Sequence, residues 1–375
     1  MTTDPHLDMH EPFRFTDDLG PAKIVHLTER STGLRATVVI DNVAIGQAIG
    51  GVRMAPDVTT EECFRLARAM TLKNAAAGLH HGGGKAVIAA EPMMPMADKE
   101  PLIRAFADAI EDLTDYAPGP DMGTNETCMA WIHDQIGRAI GLPTVLGGIP
   151  LDEVGATGYG LAAAIDVAAE HIGMSLAGAR VAVQGFGAVG RHVSRFLTER
   201  GCILVAAADS GGAIVDRGGL DVEALIRTNA THSVAAHSFG EPIERDAIVG
   251  VECDIWIPAA RPNVLHAGNA DTVRAKIVAQ GANIPATAEA EERLHERGIL
   301  VLPDFIANAG GVICGAIEYG GGTKAEAFQM IDDQVRTNTA AMLKQSDATG
   351  ELPRTAALGS ARARVEAAMA IHRFC

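Results

Sequence analysis

Short apolar segments separated by turn-forming residues occupy positions 23 to 51. The segments KIVHL (23–27), LRATVVID (34–41) and AIGQAIGG (44–51) have the length and apolar content of strands. Ser31-Thr32-Gly33 separates the first segment from the second with residues that favour a turn. We therefore expect a sheet at the start of the protein.

Apolar residues recur at helical spacing after this sheet. Thr59 and Glu62 match a capping box, which marks the start of a helix. Steps of three and four residues then separate Cys63, Leu66, Met70, Lys73 and Ala77. The pattern predicts a helix whose apolar face carries one lysine.

Glycine and proline divide the following stretch. The triplet Gly82-Gly83-Gly84 predicts the end of that helix, and Lys85 then leads into the apolar strand AVIAA. Residues 98–113 have a helical pattern. Pro118-Gly119-Pro120 predicts an irregular loop just before Asp121. We expect the first domain to end near residue 142.

A second pattern begins with a predicted helix from about Thr157 to His171. The strand RVAVQ, the glycine turn GFGAVG (185–190), a helix and the strand ILVAAAD follow in order. This is the βαβ arrangement of a dinucleotide-binding sheet. Later apolar strands end in small or amide residues, as expected where parallel strands deliver loops to a ligand; these include Ala259, Ala260 and Asn283. The Ala-rich stretch 324–373 predicts helices that pack back on the first domain.

The glycine turn carries the strongest local signal. Gly185, Gly187 and Gly190 complete a G-x-G-x-x-G motif between a strand and a helix, where it permits a tight turn and close approach of pyrophosphate. The alternative is ordinary glycine packing. Asp209 ends the next strand and could bind the adenosine ribose hydroxyls, which favours NAD over NADP. It could instead simply start the turn Asp209–Gly212.

Composition and charge narrow the class of protein. A chain of 375 residues that is rich in glycine (41 residues) and only 4% aromatic suits a two-domain α/β fold. The net charge of −16 argues against nucleic-acid binding. The N-terminal segment lacks an export signal and no long apolar run occurs, so we expect no membrane association and a cytoplasmic location. The six cysteines are scattered singly, which predicts reduced and mostly buried thiols.

Three polar residues are candidates for chemistry, although each has a structural alternative. Lys73 could bind an anionic ligand or extend its ammonium group to the edge of the helix. Lys85, at the head of an apolar strand, could serve in acid-base chemistry or be an exposed lysine at a strand end. Asp121 could transfer protons or belong to the cap of a helix that starts near Thr124.

Seven ordered motifs resemble the glutamate/leucine/phenylalanine/valine dehydrogenase family. They are GGVRM (50–54), MTLKNAAAGL (70–79), GGGKAVI (82–88), GPDMGT (119–124), ATGYG (156–160), GFGAVG (185–190) and PDFIANAGGV (303–312). The resemblance runs from about Lys23 to Tyr319. It implies nicotinamide-dependent oxidation of an L-amino acid to its 2-oxo acid and ammonia, together with the reverse reaction.

The resemblance also implies an architecture. We expect an N-terminal substrate and oligomerisation domain with a mixed sheet (1–142), completed by C-terminal helices (320–375). A Rossmann-like NAD-binding domain (143–319) would follow, with a cleft between the two. Members of the family form homo-oligomers.

The same resemblance assigns roles to individual residues. Lys73 would hold the substrate α-carboxylate, Lys85 would polarise the 2-oxo oxygen and assist water, and Asp121 would carry protons to and from ammonia. The other expected substrate-site residues are Ile49, Gly50, Gly51, Met70, Gly119, Asn308, Val312 and Gly315. The expected cofactor-site residues are Thr157, Gly185, Phe186, Gly187, Ala188, Val189, Gly190, Asp209, Ala259, Ala260, Asn283 and Asn308.

Two positions bear on the amino acid. Glutamate-specific relatives have a lysine where this chain has Ile49, and a serine where it has Gly315; both bind the substrate's second carboxylate. Their absence predicts an apolar substrate of the Leu, Val, Ile or Phe type, closest in pocket to the leucine/phenylalanine/valine branch. Other motifs resemble the glutamate branch. A glutamate dehydrogenase with an altered pocket and a non-catalytic regulatory subunit therefore remain alternatives.

Two further features stay open at this point. Adjacent His80 and His81 rarely reach one metal from a regular element, so we expect no metal site. Arg53 could order the first motif by hydrogen bonding or be an ordinary surface residue.

Overall fold

The computed structural model describes residues 13–371 and divides them into two compact α/β units. The first contains residues up to 150 together with 318–321 and the end of the chain from 361; the second contains 151–317 and 322–360. The predicted two-domain α/β fold is confirmed. Cys375 and the first twelve residues of the N-terminal segment lie outside the described part.

The first unit is built on a mixed five-stranded sheet. Its strands are β1 (Lys23–Glu29), β2 (Leu34–Asn42), β3 (Ala48–Ala55), β4 (Gly82–Ala89) and β5 (Tyr116–Pro120). The order is β1-β2-β4-β3-β5, with β1, β2 and β4 antiparallel and β4, β3 and β5 parallel. Its helices are α1 (Thr60–Ala76), α2 (Met96–Ala109) and α3 (Glu126–Ile136). The mixed sheet expected from the resemblance is therefore present.

Two local expectations in this unit were wrong. Gly82-Gly83-Gly84 is the start of β4 rather than a break before it, because α1 itself already ends at Ala76. A Cβ on Gly83 would lie 2.0 Å from the Thr71 backbone nitrogen, so the bare backbone lets α1 pack closely on the strand. Pro118-Gly119-Pro120 lies in β5, and proline is tolerated there because β5 is an edge strand.

The buried face of α1 also differs from the prediction. Thr59 caps the helix as expected and accepts a hydrogen bond from the Glu62 amide. The buried positions, however, are Cys63, Ala67, Thr71, Asn74 and Ala75, whereas Leu66, Met70 and Lys73 are half-buried. The glycines of β4 let α1 approach the sheet closely. Because the gap between the helix and the sheet is narrow, small residues occupy the buried face of α1.

The second unit contains a seven-stranded sheet in the order β12-β11-β10-β6-β7-β8-β9. Its strands are β6 (Arg180–Gln184), β7 (Ile203–Asp209), β8 (Gly212–Val215), β9 (Glu241–Ile243), β10 (Ile255–Pro258), β11 (Ile277–Ala279) and β12 (Leu300–Leu302). The strands from β12 to β7 are parallel, and β8 and β9 complete the sheet in antiparallel orientation. The predicted βαβ unit is present as β6, a helix and β7.

Helices complete the second half of the chain. They are α4 (Leu151–Val154), α5 (Ala156–His171), α6 (Ala188–Glu199), α7 (Val222–Asn229), α8 (Ala288–Glu296), α9 (Asp304–Ala307), α10 (Gly310–Tyr319), α11 (Lys324–Thr349) and α12 (Pro353–Ile371). Within the second unit α11 packs on α5, where Tyr159 contacts Phe328. The C-terminal stretch therefore differs from the expectation, since only residues 318–321 and those from 361 cluster with the first unit.

Five cysteines in the described part, Cys63, Cys128, Cys202, Cys253 and Cys314, are free and buried, as predicted. Burial raises the pKa of the Cys63 and Cys253 thiols to about 12, so both stay protonated.

Across residues 13–371, no helix has the length and apolar character needed to cross a membrane.

Glu318 fastens a connecting segment of the first unit. Its carboxylate accepts hydrogen bonds from the backbone amides of Gly141, Leu142 and Ile149 at 2.8–2.9 Å. The side chain is buried, so these amides have little access to water as a substitute acceptor.

We expect Glu318→Ala to lower the free energy of unfolding by about 3 kcal/mol or more, because three buried amides lose their acceptor. Urea unfolding measures this change. Glu366→Ala is the matched control, since Glu366 is an exposed glutamate paired with Arg362 at the surface, and should change stability far less. Equal losses in the two variants would contradict the role of Glu318.

Candidate active site

The central polar contact of the first unit joins β4 to the segment that follows β5. The Lys85 ammonium lies 2.7 Å from Oδ2 of Asp121, and the lysine side chain is only 8% exposed. The predicted pair is therefore brought together in space. Burial would raise the pKa of the Asp121 carboxyl, but Lys85 and Arg53 together hold it below its ordinary value. Asp121 is thus ionised at neutral pH.

Gly51 makes room for this contact. A Cβ on Gly51 would lie 2.7 Å from the Asp121 Cβ and 3.0 Å from the Lys85 Nζ. Gly51 is paired with Gly119 in the β3–β5 ladder. This register fixes the position of Asp121, which follows the last residue of β5. The neighbouring Gly50 carbonyl accepts a hydrogen bond from the buried Tyr116 hydroxyl at 2.7 Å. Any side chain at position 51 would separate the lysine from the aspartate.

Ile49 lies in a small apolar cluster with Ala117 and Ile140, against which Tyr319 packs. Ile49 is 9% exposed. The space beside Gly119 is bounded by Ile140, 3.7 Å from where a Cβ would stand. This end of β3 is therefore apolar. The half-buried Lys73 lies in the last turn of α1, and the half-buried Met70 precedes it by one turn.

The cavity of the second unit has a volume of about 940 Å³ and lies at the carboxyl end of β6. Six predicted cofactor residues line it: Gly185, Phe186, Gly187, Asp209, Ala259 and Ala260. Gly185 has a left-handed φ of +100°, and a Cβ there would lie 2.6 Å from the Ala259 carbonyl carbon. A Cβ on Gly190 would lie 1.9 Å from the Gly185 carbonyl oxygen. The glycine turn therefore depends on bare backbone.

The cavity fits a dinucleotide on two observations. Gly187 is the N-cap of α6 and has no side chain to cap the helix, so the first-turn amides face the glycine turn, where a pyrophosphate would bind. Gln184 lines the cavity, and its buried Oε1 has no hydrogen-bond partner in the described part of the chain. Ala188, Val189 and Gly190 form the first turn of α6.

Asp209 has a structural duty that the sequence did not reveal. Oδ1 accepts from the Gly211 amide and the Ser233 hydroxyl, and Oδ2 accepts from Asn229 and the Val234 amide, at 2.6–3.0 Å. Burial would raise the pKa of Asp209, but these four donors lower it. A carboxylate has about four lone-pair sites, so internal donors already use its capacity.

A strained loop holds the predicted Asn283. Asn308 donates to Asn283 Oδ1 at 3.0 Å, and the next residue, Ile284, has a left-handed φ of 49°. The Ile284 amide donates to Asp304 Oδ2 at 2.8 Å, and Arg354 donates to Asp304 Oδ1 at 2.9 Å. The ion pair thus fixes the loop that carries Asn283.

Three further predicted residues of the second unit lie in α5 and α10: Thr157, Val312 and Gly315. A Cβ on Gly311 would lie 2.8 Å from the hydroxyl of the half-buried Thr157, so these two positions are neighbours. Val312 is half-buried and Gly315 is buried, both in α10.

Sequence reasoning missed several cavity residues, including Ser210, Arg245 and Arg261. Arg261 follows Ala259 and Ala260 directly, so its place just after a strand end is a local signal for a cavity residue. Arg245 lies in an irregular segment without a motif, and no local signal marks it. His81 contacts Tyr319 and the Gln47 carbonyl. Within residues 13–371, no group of three or more His, Cys, Asp or Glu side chains could hold a metal ion.

Two family models together match nearly the whole chain. The model of the Glu/Leu/Phe/Val dehydrogenase dimerisation domain matches residues 22–138, and the Glutamate/Leucine/Phenylalanine/Valine dehydrogenase model matches 147–373. The chain belongs to this family. It is therefore an oxidoreductase of the amino-acid dehydrogenase type that uses a nicotinamide dinucleotide.

Curated relatives within the dehydrogenase family are named as glutamate dehydrogenases. The enzyme of Aeropyrum pernix is 39% identical over 318 residues, which cover 80% of this chain and 76% of the relative. An NADP-specific enzyme of Saccharolobus shibatae is 37% identical (74% and 69% covered), and an NAD-specific enzyme of Staphylococcus aureus is 36% identical (82% and 77% covered). These relatives do not confirm a place nearer the leucine/phenylalanine/valine branch.

Two solved dehydrogenase structures show how widely the fold is shared. A leucine-bound hetero-hexameric glutamate dehydrogenase from Thermus thermophilus has a TM-score of 0.82 and 30% identity, with 94% of this chain and 90% of that chain covered. L-tryptophan dehydrogenase from Nostoc punctiforme has a TM-score of 0.74 and 25% identity, with 92% and 96% covered. Named substrates of similar structures therefore range from glutamate to tryptophan.

We expect Gly190→Ala to abolish tight dinucleotide binding, because the added methyl would collide with the Gly185 carbonyl and distort the turn. Titration with NADH and NADPH, followed by calorimetry, measures the loss.

Gly359→Ala is the matched control, since no described atom lies within 4 Å of the Cβ it would add. It should bind the dinucleotide as the unaltered chain does. Unchanged binding by Gly190→Ala would rule out this turn as the pyrophosphate site.

Proposed function

We propose that this chain catalyses the reversible oxidative deamination of an L-amino acid to its 2-oxo acid and ammonia. The observation that carries the proposal is the 2.7 Å contact between Lys85 and Asp121. An ammonium that can polarise a carbonyl oxygen, beside a carboxylate that can exchange a proton, is the pair that this reaction needs. The family membership of the chain gives independent support.

The proposed roles follow from the charges. Lys73 holds the α-carboxylate, Lys85 polarises the 2-oxo oxygen and assists the attacking water, and Asp121 exchanges protons with ammonia and the amine. The lowered pKa of Asp121 means that it starts as a proton acceptor at neutral pH. Thr157, Asn283 and Asn308 orient the nicotinamide. When bound, the cofactor exchanges hydride with the substrate α-carbon.

For the substrate, we propose an apolar amino acid of the Leu, Val, Ile or Phe type. The apolar cluster of Ile49, Ala117, Ile140 and Tyr319 supports this choice, since a carboxylate placed beside it would lose hydration without gaining a cation from these residues. The remaining proposed substrate residues are Gly50, Gly51, Met70, Gly119, Asn308, Val312 and Gly315.

Glutamate is the second candidate, and the comparisons favour it over an apolar substrate. The curated relatives reported above are named as glutamate dehydrogenases. A non-catalytic subunit is a third possibility, because one similar structure is a hetero-hexamer. The Lys85–Asp121 contact argues against a subunit without activity, since a sensor does not need a proton-transfer pair.

For the cofactor, we propose NAD rather than NADP. The Asp209 carboxylate lies on the cavity wall and is ionised, so it repels a 2′-phosphate. Arg245 and Arg261 line the same cavity and favour NADP by their charge. Relatives named as NAD-specific and as NADP-specific are both similar to this chain.

For the assembly, we propose a homo-oligomer. The match to a dimerisation-domain model supports it. Light scattering of the purified chain would measure the number of subunits.

We expect the purified chain to oxidise NADH when given ammonia and an apolar 2-oxo acid, and to be slower with NADPH. Absorbance at the reduced nicotinamide band measures both rates across a panel of 2-oxo acids. Asp121→Asn is the control and should lose about 100-fold or more in kcat.

Each other outcome has a definite meaning. A preference for 2-oxoglutarate would select the glutamate alternative. No turnover with any acid would contradict the proposal of catalysis and favour the subunit.

Ile49→Lys should raise the ratio of glutamate to leucine activity by about tenfold or more, because the new ammonium offers a partner to the second carboxylate. Ile49→Met is the control, since it keeps an apolar chain of similar volume and should leave the ratio low. If the lysine variant gives the same ratio as the methionine variant, Ile49 does not contact the substrate side chain.

A further inference from the structure

Arg53 bridges two carboxylates from different elements of the first unit. Its Nε lies 3.1 Å from Asp121 Oδ2, and its Nη1 lies 2.6 Å from Glu62 Oε1. Arg53 belongs to β3, and Glu62 to the first turn of α1. The Arg53 side chain is 20% exposed, so most of it is removed from water. A surface role for Arg53 does not account for this geometry.

Two cations contact Asp121 on the same oxygen. Lys85 and Arg53 both contact Oδ2, so the carboxylate is held from two sides by donors on β4 and β3. The four charges Glu62, Arg53, Asp121 and Lys85 alternate in sign along this path. The two Arg53 donors lie on one planar group with fixed directions, so the bond from Nη1 to Glu62 fixes the direction from which Nε meets Asp121.

We infer that Arg53, anchored by Glu62, is a positioning residue that fixes the orientation and charge of the Asp121 carboxylate. This inference rests on the proposed role of Asp121 as the group that exchanges protons with ammonia. Arg53 itself acts through Asp121. Arg53 and Lys85 both contact Oδ2 of Asp121, Arg53 from β3 and Lys85 from β4.

The groups facing Asp121 from the surrounding elements make the direction of the effect clear. Lys85 on β4 and Arg53 on β3 are cations that face Asp121; the buried Tyr116 on β5 is uncharged at neutral pH, because burial raises its pKa. Glu62 is paired with Arg53. Loss of Arg53 therefore removes a stabilising cation, and the proton affinity of Asp121 should rise.

The first test measures Asp121 directly in the full chain. Carboxyl ¹³C-aspartate labelling, with Asp121→Asn to assign the resonance, gives its titration by NMR. Arg53→Met should move the midpoint to higher pH, and Arg53→Lys, which keeps the charge, should remain closer to the unaltered chain. Arg68→Met is the matched control, because Arg68 also bridges two carboxylates, Asp17 and Asp41, but does not contact Asp121. An unchanged midpoint in Arg53→Met would overturn the inference.

The second test is kinetic. Arg53→Met should lower kcat by about 10- to 100-fold, with a smaller change in KM, because a charge-assisted hydrogen bond to the proton carrier is lost. The fall in rate at low pH should begin at a higher pH than in the unaltered chain, since ionised Asp121 is the acceptor. In the Asp121→Asn background, Arg53→Met should cause no further loss.

The outcomes separate the inference from the proposed function. A loss of equal size in both backgrounds would mean that Arg53 is only structural, and the inference fails. Absence of turnover in the unaltered chain would contradict the proposed function, and the NMR titration would still decide whether Arg53 controls Asp121.

Discussion

A buried ammonium group is tolerated in a protein only where a counter-charge lies beside it, and Asp121 fulfils this condition for Lys85. Lys85 is near the start of β4, and Asp121 follows the end of β5. The strand β3 lies between them and pairs with both. The three parallel strands β4, β3 and β5 must therefore keep their register for this one contact to exist.

In both units, a glycine without a side chain leaves the space that the site needs. In the first unit, Gly51 leaves the space in which the lysine and aspartate meet. In the second unit, Gly190 lets the start of α6 approach the Gly185 carbonyl. The two positions differ in chemistry, since one serves a charge pair and the other a phosphate turn. In each, a single methyl group would occupy space that the site requires.

The sequence predicted those features whose signal is local. The turn GFGAVG between a strand and a helix gave the βαβ unit, because strand, glycine and helix are adjacent in the chain. The meeting of Lys85 with Asp121 came from the resemblance alone, since a helix and a strand separate them in sequence. Local rules failed at Pro118-Gly119-Pro120, where an edge position tolerates proline in a strand. They failed again for α11, because an apolar face does not reveal which unit it packs against.

The hydrogen bonds of Asp209 have a consequence for how this cofactor site can change. An acidic residue at the end of the second strand of a dinucleotide-binding unit is a natural first target for switching cofactor preference. Here that residue ties the Gly211 turn to the segment containing Asn229, Ser233 and Val234. Replacing Asp209 would remove the hydrogen bonds that join these segments of the cavity wall, in addition to changing the charge beside the ribose site. A change of cofactor preference is therefore more direct at Arg245, whose hydrogen bonds go to the neighbouring Asp246 and do not join separate segments of the wall.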